Sequence, residues 1–208
     1  MLKRLILCIA IVCITLEGLG TSSAGTPKIL VIGDSLSSGH GLPTPKSWVS
    51  LLKTQLREQG FLHQVVNASV SGDTTTNGVT RIRVSLEQHR PAIVILELGG
   101  NDGLRGLPVE SVRANLVVMI ELIQEYGARV LLAGMRLPPN YGSAYTDRFE
   151  HLYSDLAKAY DTSLIPFFLD GVATVPGMMQ ADGVHPAEPA QAVILNNVWE
   201  HLLPLLKP

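Results

Sequence analysis

The chain has 208 residues, 46% of them hydrophobic, and its formal net charge at pH 7 is −2. A chain of this length suits one domain built around a single sizeable hydrophobic core. Because the charge is slightly negative, the protein offers no basic field to attract nucleic acid, and a nucleic-acid-binding function is excluded on this ground.

The first 24 residues resemble a targeting segment. A positive region at Lys3 and Arg4 precedes an apolar stretch over 5–16, and small residues follow up to Ala24. This order is typical of a secretory signal peptide, and the apolar stretch is too short for a membrane span. An uncleaved N-terminal anchor is the alternative. We expect cleavage near Ala24 and a periplasmic or secreted mature domain over 25–208 without a stable membrane span.

Short apolar runs alternate with longer segments whose apolar residues recur at helical spacing, which predicts repeated βα units around a parallel sheet. The run 93–96 has no polar alternation, as expected of a central strand that is covered on both faces. The sequence therefore predicts an α/β fold, a three-layer α/β/α sandwich with a flavodoxin-like five-stranded parallel sheet in the order 2-1-3-4-5. The predicted strands are 28–33, 64–68, 92–98, 129–135 and 163–167, and the predicted helices are 46–59, 75–89, 109–126, 145–160 and 188–206.

Polar clusters follow the first three predicted strands. Residues 33–35 (Gly-Asp-Ser) follow the first strand, 67–73 (Asn-Ala-Ser-Val-Ser-Gly-Asp) the second and 99–103 (Gly-Gly-Asn-Asp-Gly) the third. Each cluster alone can be explained as a helix cap or a turn. Together, however, they face one crevice, because the carboxyl ends of parallel strands meet at one edge of the sheet.

Three side chains have the chemistry of a nucleophilic triad. A serine is a weak nucleophile until a base removes its proton, and an acid must hold the imidazole of that base in the right tautomer. Ser35 follows the first strand, whereas Asp182 and His185 lie three apart on one loop before the last helix. We therefore expect Ser35 to be the nucleophile, His185 the base and Asp182 the orienting acid.

An oxyanion on the substrate requires preorganised N–H donors. Gly72 has no side chain to obstruct its backbone N–H, and Asn101 carries a side-chain amide on the neighbouring strand end. The backbone N–H of Ser35 is a third candidate. These three groups are the predicted oxyanion hole.

Four blocks of the sequence resemble the SGNH, or GDSL-type, hydrolases in order and separation. The blocks are Gly33-Asp34-Ser35-Leu36, Gly72, Gly99-Gly100-Asn101-Asp102 and Asp182-Gly183-Val184-His185. The resemblance assigns the four catalytic letters of the family to Ser35, Gly72, Asn101 and His185. Segments 66–74, 97–106 and 136–142 are similar to a branch of bacterial periplasmic acyl-CoA thioesterases, also described as lysophospholipases and arylesterases.

That resemblance implies hydrolysis of small-molecule acyl esters and thioesters, lysophospholipids among them, without a cofactor. The acyl group is expected in a groove beside Ser35, formed by loops 72–80, 101–108 and 137–145. Its apolar candidates can also simply pack these loops, and His40, in the loop after Ser35, can line the entrance. The candidates are Leu104, Leu107, Pro108, Leu137, Pro138, Pro139 and Tyr141.

Glu97 stands on the predicted central strand, where a buried carboxylate needs a partner. We expect it to bond to backbone amides or to an arginine such as Arg105 or Arg136. We expect Asp34 and Asp73, beside the predicted site, to brace its loops.

Two other functions remain open from the residues alone. A metal-dependent hydrolase would use Asp182 and His185 as ligands, but no third or fourth ligand follows at a recognised spacing, so we expect no metal. A non-catalytic flavodoxin-like binding module would hold a phosphate or a nucleotide, but no Gly-x-Gly-x-x-Gly follows the first strand.

Overall fold

The computed structural model describes residues 25–207, so the predicted signal peptide lies outside the described residues. Its five strands pair in parallel in the order β2-β1-β3-β4-β5. The predicted fold and strand order are confirmed. The strands are β1 (Lys28–Gly33), β2 (Gln64–Asn67), β3 (Ile93–Glu97), β4 (Arg129–Ala133) and β5 (Ser163–Ile165).

The five predicted helices are present, with ends that differ from the prediction by at most two residues. Two short helices at the ends of β1 and β3, α1 and α4, were not predicted. No helix within residues 25–207 has the length and apolar character needed to cross a bilayer. The helices are α1 (Ser35–Ser38), α2 (Trp48–Glu58), α3 (Thr75–His89), α4 (Gly100–Leu104), α5 (Val109–Glu125), α6 (Ser143–Ala159) and α7 (Ala190–Leu206), with 3₁₀ turns at Thr44–Lys46 and Pro139–Tyr141.

Helices cover both faces of the sheet. Helix α2 packs against α7, whereas α3, α5 and α6 pack in a row. Right-handed crossovers in this strand order place those two groups on opposite faces. The side chains of 29–32 and 93–96 are therefore fully buried, which is why both runs are apolar without alternation. This rigid centre fixes the positions of the loops at the carboxyl edge.

Candidate active site

Ser35 stands where β1 passes into α1. Asp34 caps this short helix, and its Oδ1 accepts a hydrogen bond from the Leu36 N–H at 3.0 Å. As in any first turn, the N–H of Ser35 has no acceptor within the helix and remains able to bind an anion. The residue is 8% exposed, so its hydroxyl lies at a partly covered edge of the sheet.

Glu97 lies directly beneath this turn and is fully buried. Its Oε2 accepts hydrogen bonds from the Asp34 N–H at 3.3 Å and the Ser37 hydroxyl at 2.6 Å, while Oε1 has no partner among residues 25–207. The backbone-amide partner expected from the sequence is therefore present. The arginine partner is not, because Arg105 and Arg136 bond elsewhere.

The two buried carboxyl groups have raised pKa values. Burial raises the pKa of Asp34 to about 6, against the lowering effect of its bond to the Leu36 N–H. Burial, and then the neighbouring Asp34 charge, raise the pKa of Glu97 well above its ordinary value. Glu97 is the more deeply buried of the two, so burial favours its neutral form more strongly than that of Asp34.

Asn101 is the second residue of α4 and reaches back towards β1. Its Nδ2 donates to Asp34 Oδ2 at 2.9 Å and to the Asp73 carbonyl oxygen at 2.9 Å. A side-chain amide has only two N–H bonds, so both are already engaged. An oxyanion can therefore be bound by Asn101 only if one of these hydrogen bonds is shared or lengthened.

Gly72 lies in the exposed loop after β2 and has a φ of +84°, a conformation that favours glycine. A Cβ placed there would meet nothing within 4 Å, so the space beside its backbone is open. The next residue, Asp73, contributes the carbonyl that Asn101 binds.

Arg81 of α3 holds this loop against β1, and the sequence analysis missed it. Its Nε donates to Asp73 Oδ2 at 2.6 Å, Nη1 to the Ala68 carbonyl at 2.6 Å and Nη2 to the Gly33 carbonyl at 3.1 Å. The only signal for this role was an arginine on the inner side of the helix that follows the loop. The three bonds join the ends of β1 and β2, beside the serine and the glycine of the predicted site.

Asp182 and His185 form a close pair on the loop before α7. Asp182 Oδ2 lies 2.7 Å from His185 Nδ1, and Oδ1 accepts from the N–H groups of Val184 at 2.9 Å and His185 at 3.0 Å. These hydrogen bonds hold the pKa of Asp182 well below its ordinary value, with the His185 N–H contributing most. The contact suits the tautomer that carries its proton on Nδ1, which leaves Nε2 as a proton acceptor.

The histidine loop and the serine turn meet at one cavity of about 180 Å³. Ser35 and Asn101 line it from one side, and Gly183 and Val184 from the other. No hydrogen bond within residues 25–207 joins Ser35 to His185. Such bonds are often long or poorly aligned before substrate is bound, so the missing bond does not rule out His185 as the base.

The cavity wall differs from the predicted groove. Leu104, Leu137 and Pro138 line it, but Leu107, Pro108, Pro139 and Tyr141 do not. In the structure those four make contacts within their loops, and a role for them in substrate binding stays a prediction. The Tyr141 hydroxyl donates to the Leu104 carbonyl, and the Tyr145 hydroxyl donates to the Leu107 carbonyl. Pro108 precedes α5, and Pro139 begins a 3₁₀ turn.

A segment after β5 supplies most of the remaining apolar wall, and it was not among the predicted groove loops. The predicted strand 163–167 ends at Ile165, so Phe167 is released into a loop. The chain then continues along the cavity. In this segment the apolar residues of the wall are Phe167, Leu169, Ala173 and Met179, and Leu36 of α1 and Met135 after β4 complete the wall.

The fold is an α/β/α sandwich with a capped serine at the switch point of its sheet. A histidine held by an aspartate lies on a loop that borders the same cavity, and this combination is typical of serine hydrolases. The GDSL-like lipase/acylhydrolase family matches residues 31–193. The chain belongs to this family and is an esterase. The family and the activity class predicted from the four motif blocks are confirmed.

Named relatives agree with this membership. The esterase TesA of Pseudomonas aeruginosa is 47% identical over 199 residues, which cover 96% of both chains. Thioesterase 1/protease 1/lysophospholipase L1 of Escherichia coli K12 is 39% identical over 184 residues, which cover 88% of this chain and 87% of that one. A crystal structure of TesA has a TM-score of 0.84 at 49% identity and covers 86% of this chain and 99% of its own.

Proposed function

We propose that the protein hydrolyses carboxylic acyl esters and thioesters through an acyl-enzyme formed on Ser35. One observation carries the proposal. Gly183 and Val184, which separate the members of the 2.7 Å Asp182–His185 pair along the chain, line the same cavity as Ser35, the first residue of α1. A nucleophile, an oriented base and an anion-binding donor at one cavity are what acyl transfer requires.

In the acylation step, His185 Nε2 removes the proton of Ser35 Oγ as this oxygen attacks the carbonyl carbon. The ionised Asp182 stabilises the imidazolium that forms. His185 then gives its proton to the leaving alcohol or thiol. A water molecule attacks the acyl-enzyme by the same route and releases the acid.

The oxyanion is bound by the N–H groups of Ser35 and Gly72 and by Asn101 Nδ2. Because Asn101 already donates to Asp34 and Asp73, one of these bonds must weaken as negative charge develops. This exchange favours the transition state over the bound ester, since an anion competes for the donor better than a neutral carbonyl does.

The acyl chain is proposed to lie against the apolar wall that includes Leu137, Phe167 and Met179. The names of the relatives point to esters, thioesters and lysophospholipids as substrate classes. Acyl-CoA is cytoplasmic, so a signal peptide over residues 1–24 favours lysophospholipids and external esters as natural substrates. We further propose that 25–208 is one exported domain.

Steady-state hydrolysis of p-nitrophenyl esters, acyl-CoAs and lysophospholipids tests the proposal. Ser35→Ala should lower kcat by at least about 10³-fold, because the loss of a triad member removes most of the catalysis. Ser38→Ala, at the exposed end of the same helix, is the matched control and should retain activity. EDTA should leave the rates unchanged. A Ser35→Ala variant with more than about a tenth of wild-type kcat would contradict the assignment. If EDTA abolished the activity and added zinc restored it, the metal mechanism would be favoured.

A further inference from the structure

A second histidine lies against the proposed base. The ring centroids of His40 and His185 are 4.3 Å apart and their planes are inclined by 33°. This distance is slightly shorter than the usual range for contacting aromatic rings, so the two imidazoles pack closely against each other in a tilted arrangement. His40 belongs to the loop after α1, and His185 to the loop before α7.

The chain is built to place His40 at that point. Gly39 and Gly41, on its two sides, have φ values of +80° and +72°, so the loop turns sharply around it. The His40 carbonyl accepts a hydrogen bond from Gln180 Nε2 at 2.9 Å. Its ring Nδ1 lies 3.4 Å from the Ser71 hydroxyl, in the loop that also carries Gly72. These contacts fix both the backbone and the ring of His40.

Gln180 holds the His185 segment as well. Its backbone N–H donates to the His185 carbonyl at 2.7 Å, and Nε2 donates to the Pro186 carbonyl at 3.1 Å. Gly41 leaves the space that the Gln180 side chain occupies. One glutamine therefore ties the backbones of both histidines together.

His185 needs such support because its own loop is open. Residues 181–184 are exposed. The Asp182 side chain, which bonds to one edge of the His185 ring, is 43% exposed. A single hydrogen bond at one edge leaves the imidazole able to tilt about that bond. Yet the His185 side chain is only 19% exposed, since neighbours including His40 cover it.

We propose that His40 is a positioning residue for the base: its ring packs on the face of His185 and keeps Nε2 directed at Ser35, while Gln180 fixes the two loops relative to each other. This inference rests on the proposed function. A small tilt of the base matters because misplacement of a catalytic group by about 1 Å can cost about 10²-fold in rate.

The test compares His40→Ala, which removes the ring, with His40→Phe, which keeps a flat ring without the nitrogen atoms. Two quantities are measured on each: kcat and KM for a short p-nitrophenyl ester, and the rate constant of labelling by a fluorophosphonate probe. His40→Ala should lower kcat and the labelling rate by about ten- to a hundredfold with KM nearly unchanged. His40→Phe should recover to within about threefold of wild type, because stacking persists.

His151→Ala is the matched control, since His151 is exposed on α6 and its ring nitrogen bonds to a carbonyl of its own helix. It should behave as wild type. Far-ultraviolet circular dichroism checks each variant, and His40→Leu replaces His40→Ala, with the same expectation, if the alanine variant does not fold.

Equal kcat and labelling rates in His40→Ala and wild type would overturn the role of His40. So would a change in KM alone, or an equal loss in His40→Phe, which would assign the effect to the ring nitrogens. Failure of the proposed function is distinguishable, because then wild-type protein itself would not be labelled.

Discussion

The proposed active site has a buried half and an open half, and each contains an aspartate next to a key residue. Asp34 precedes Ser35 and is 2% exposed, whereas the Asp182 side chain, three residues before His185, is 43% exposed. Burial raises the pKa of Asp34 to about 6, while hydrogen bonds from the His185 segment lower that of Asp182. The surroundings of a carboxyl group, more than its place in a motif, therefore decide what it can do.

This difference indicates that Asp34 acts through the position of its oxygen atoms, whereas Asp182 acts through its negative charge. Asp34 caps α1 and accepts from Asn101, and both bonds need an oxygen in a fixed place. Asp182 stays ionised throughout the neutral range, so it can stabilise an imidazolium on His185. Substitutions that remove charge but keep shape should separate the two roles.

The largest expected effect is the contrast between Asp182→Asn and Asp34→Asn. Asp182→Asn should lower kcat by about 10⁴-fold, because an amide holds the imidazole in the wrong tautomer. Asp34→Asn should lower kcat by only about tenfold, because the N–H₂ group of the new amide would face the N–H₂ group of Asn101 without an acceptor. Steady-state kinetics on one p-nitrophenyl ester measures both. Equal losses of kcat in the two variants would contradict the different roles proposed for Asp34 and Asp182.

Asn101→Ala should have the next largest effect. Loss of one oxyanion donor lowers kcat by about 10²–10³-fold, and KM should change much less. The exposed Asn140→Ala, on the 3₁₀ turn, is the control. If only KM rose, Asn101 would bind the ester in its ground state and its proposed role would be wrong.

The pKa of Asp34 is raised and that of Asp182 is lowered, so the two groups should affect the pH dependence of stability in opposite directions. Asp34 has a folded pKa above its ordinary value, so its contribution is fully present below about pH 4 and is lost as the pH rises through about 6. A shift from 3.8 to about 6 corresponds to about 3 kcal/mol at most. The depressed pKa of Asp182 acts in reverse: its contribution is present above about pH 4 and is lost as the pH falls.

Urea unfolding at pH values from 3 to 8 measures these contributions. Asp34→Asn should flatten the decline in stability between about pH 4 and 7, and Asp182→Asn should change only the loss at lower pH. A wild-type protein whose stability rose steadily from pH 4 to 7, with no effect of Asp34→Asn, would show that Asp34 is not desolvated as the structure indicates.

The smallest expected effect concerns the acyl wall. Leu137→Ala should lower kcat/KM for a medium-chain ester by about fivefold more than for an acetate, because about 1 kcal/mol of apolar contact is lost only with the longer chain. Tyr141→Phe, outside the cavity, should leave the ratio between the two esters unchanged. A panel of p-nitrophenyl esters gives both ratios. An equal loss of kcat/KM on both esters would show that Leu137 does not contact the acyl chain.

The strand order and the loops of the site could be predicted because buried parallel strands have unbroken apolar runs and their polar ends share one edge, as in 93–96 and 100–102. The short helices α1 and α4 could not, since four or five residues show no helical period. Arg81, His40 and Gln180 act through contacts between residues distant in sequence, which no local pattern encodes. Apolar character alone does not distinguish a residue of the cavity wall, such as Leu137, from one that packs within a loop, such as Tyr141 or Leu107.

Mass spectrometry of the protein treated with a fluorophosphonate tests the central claim most directly. The probe should add one phosphonyl group per chain, on the peptide that contains Ser35, in wild type and in Asp34→Asn, and its rate should fall by at least about 10²-fold in Asp182→Asn. A label on another residue, no label on folded wild-type protein, or equal rates in wild type and Asp182→Asn would contradict activation of Ser35 by the Asp182–His185 pair.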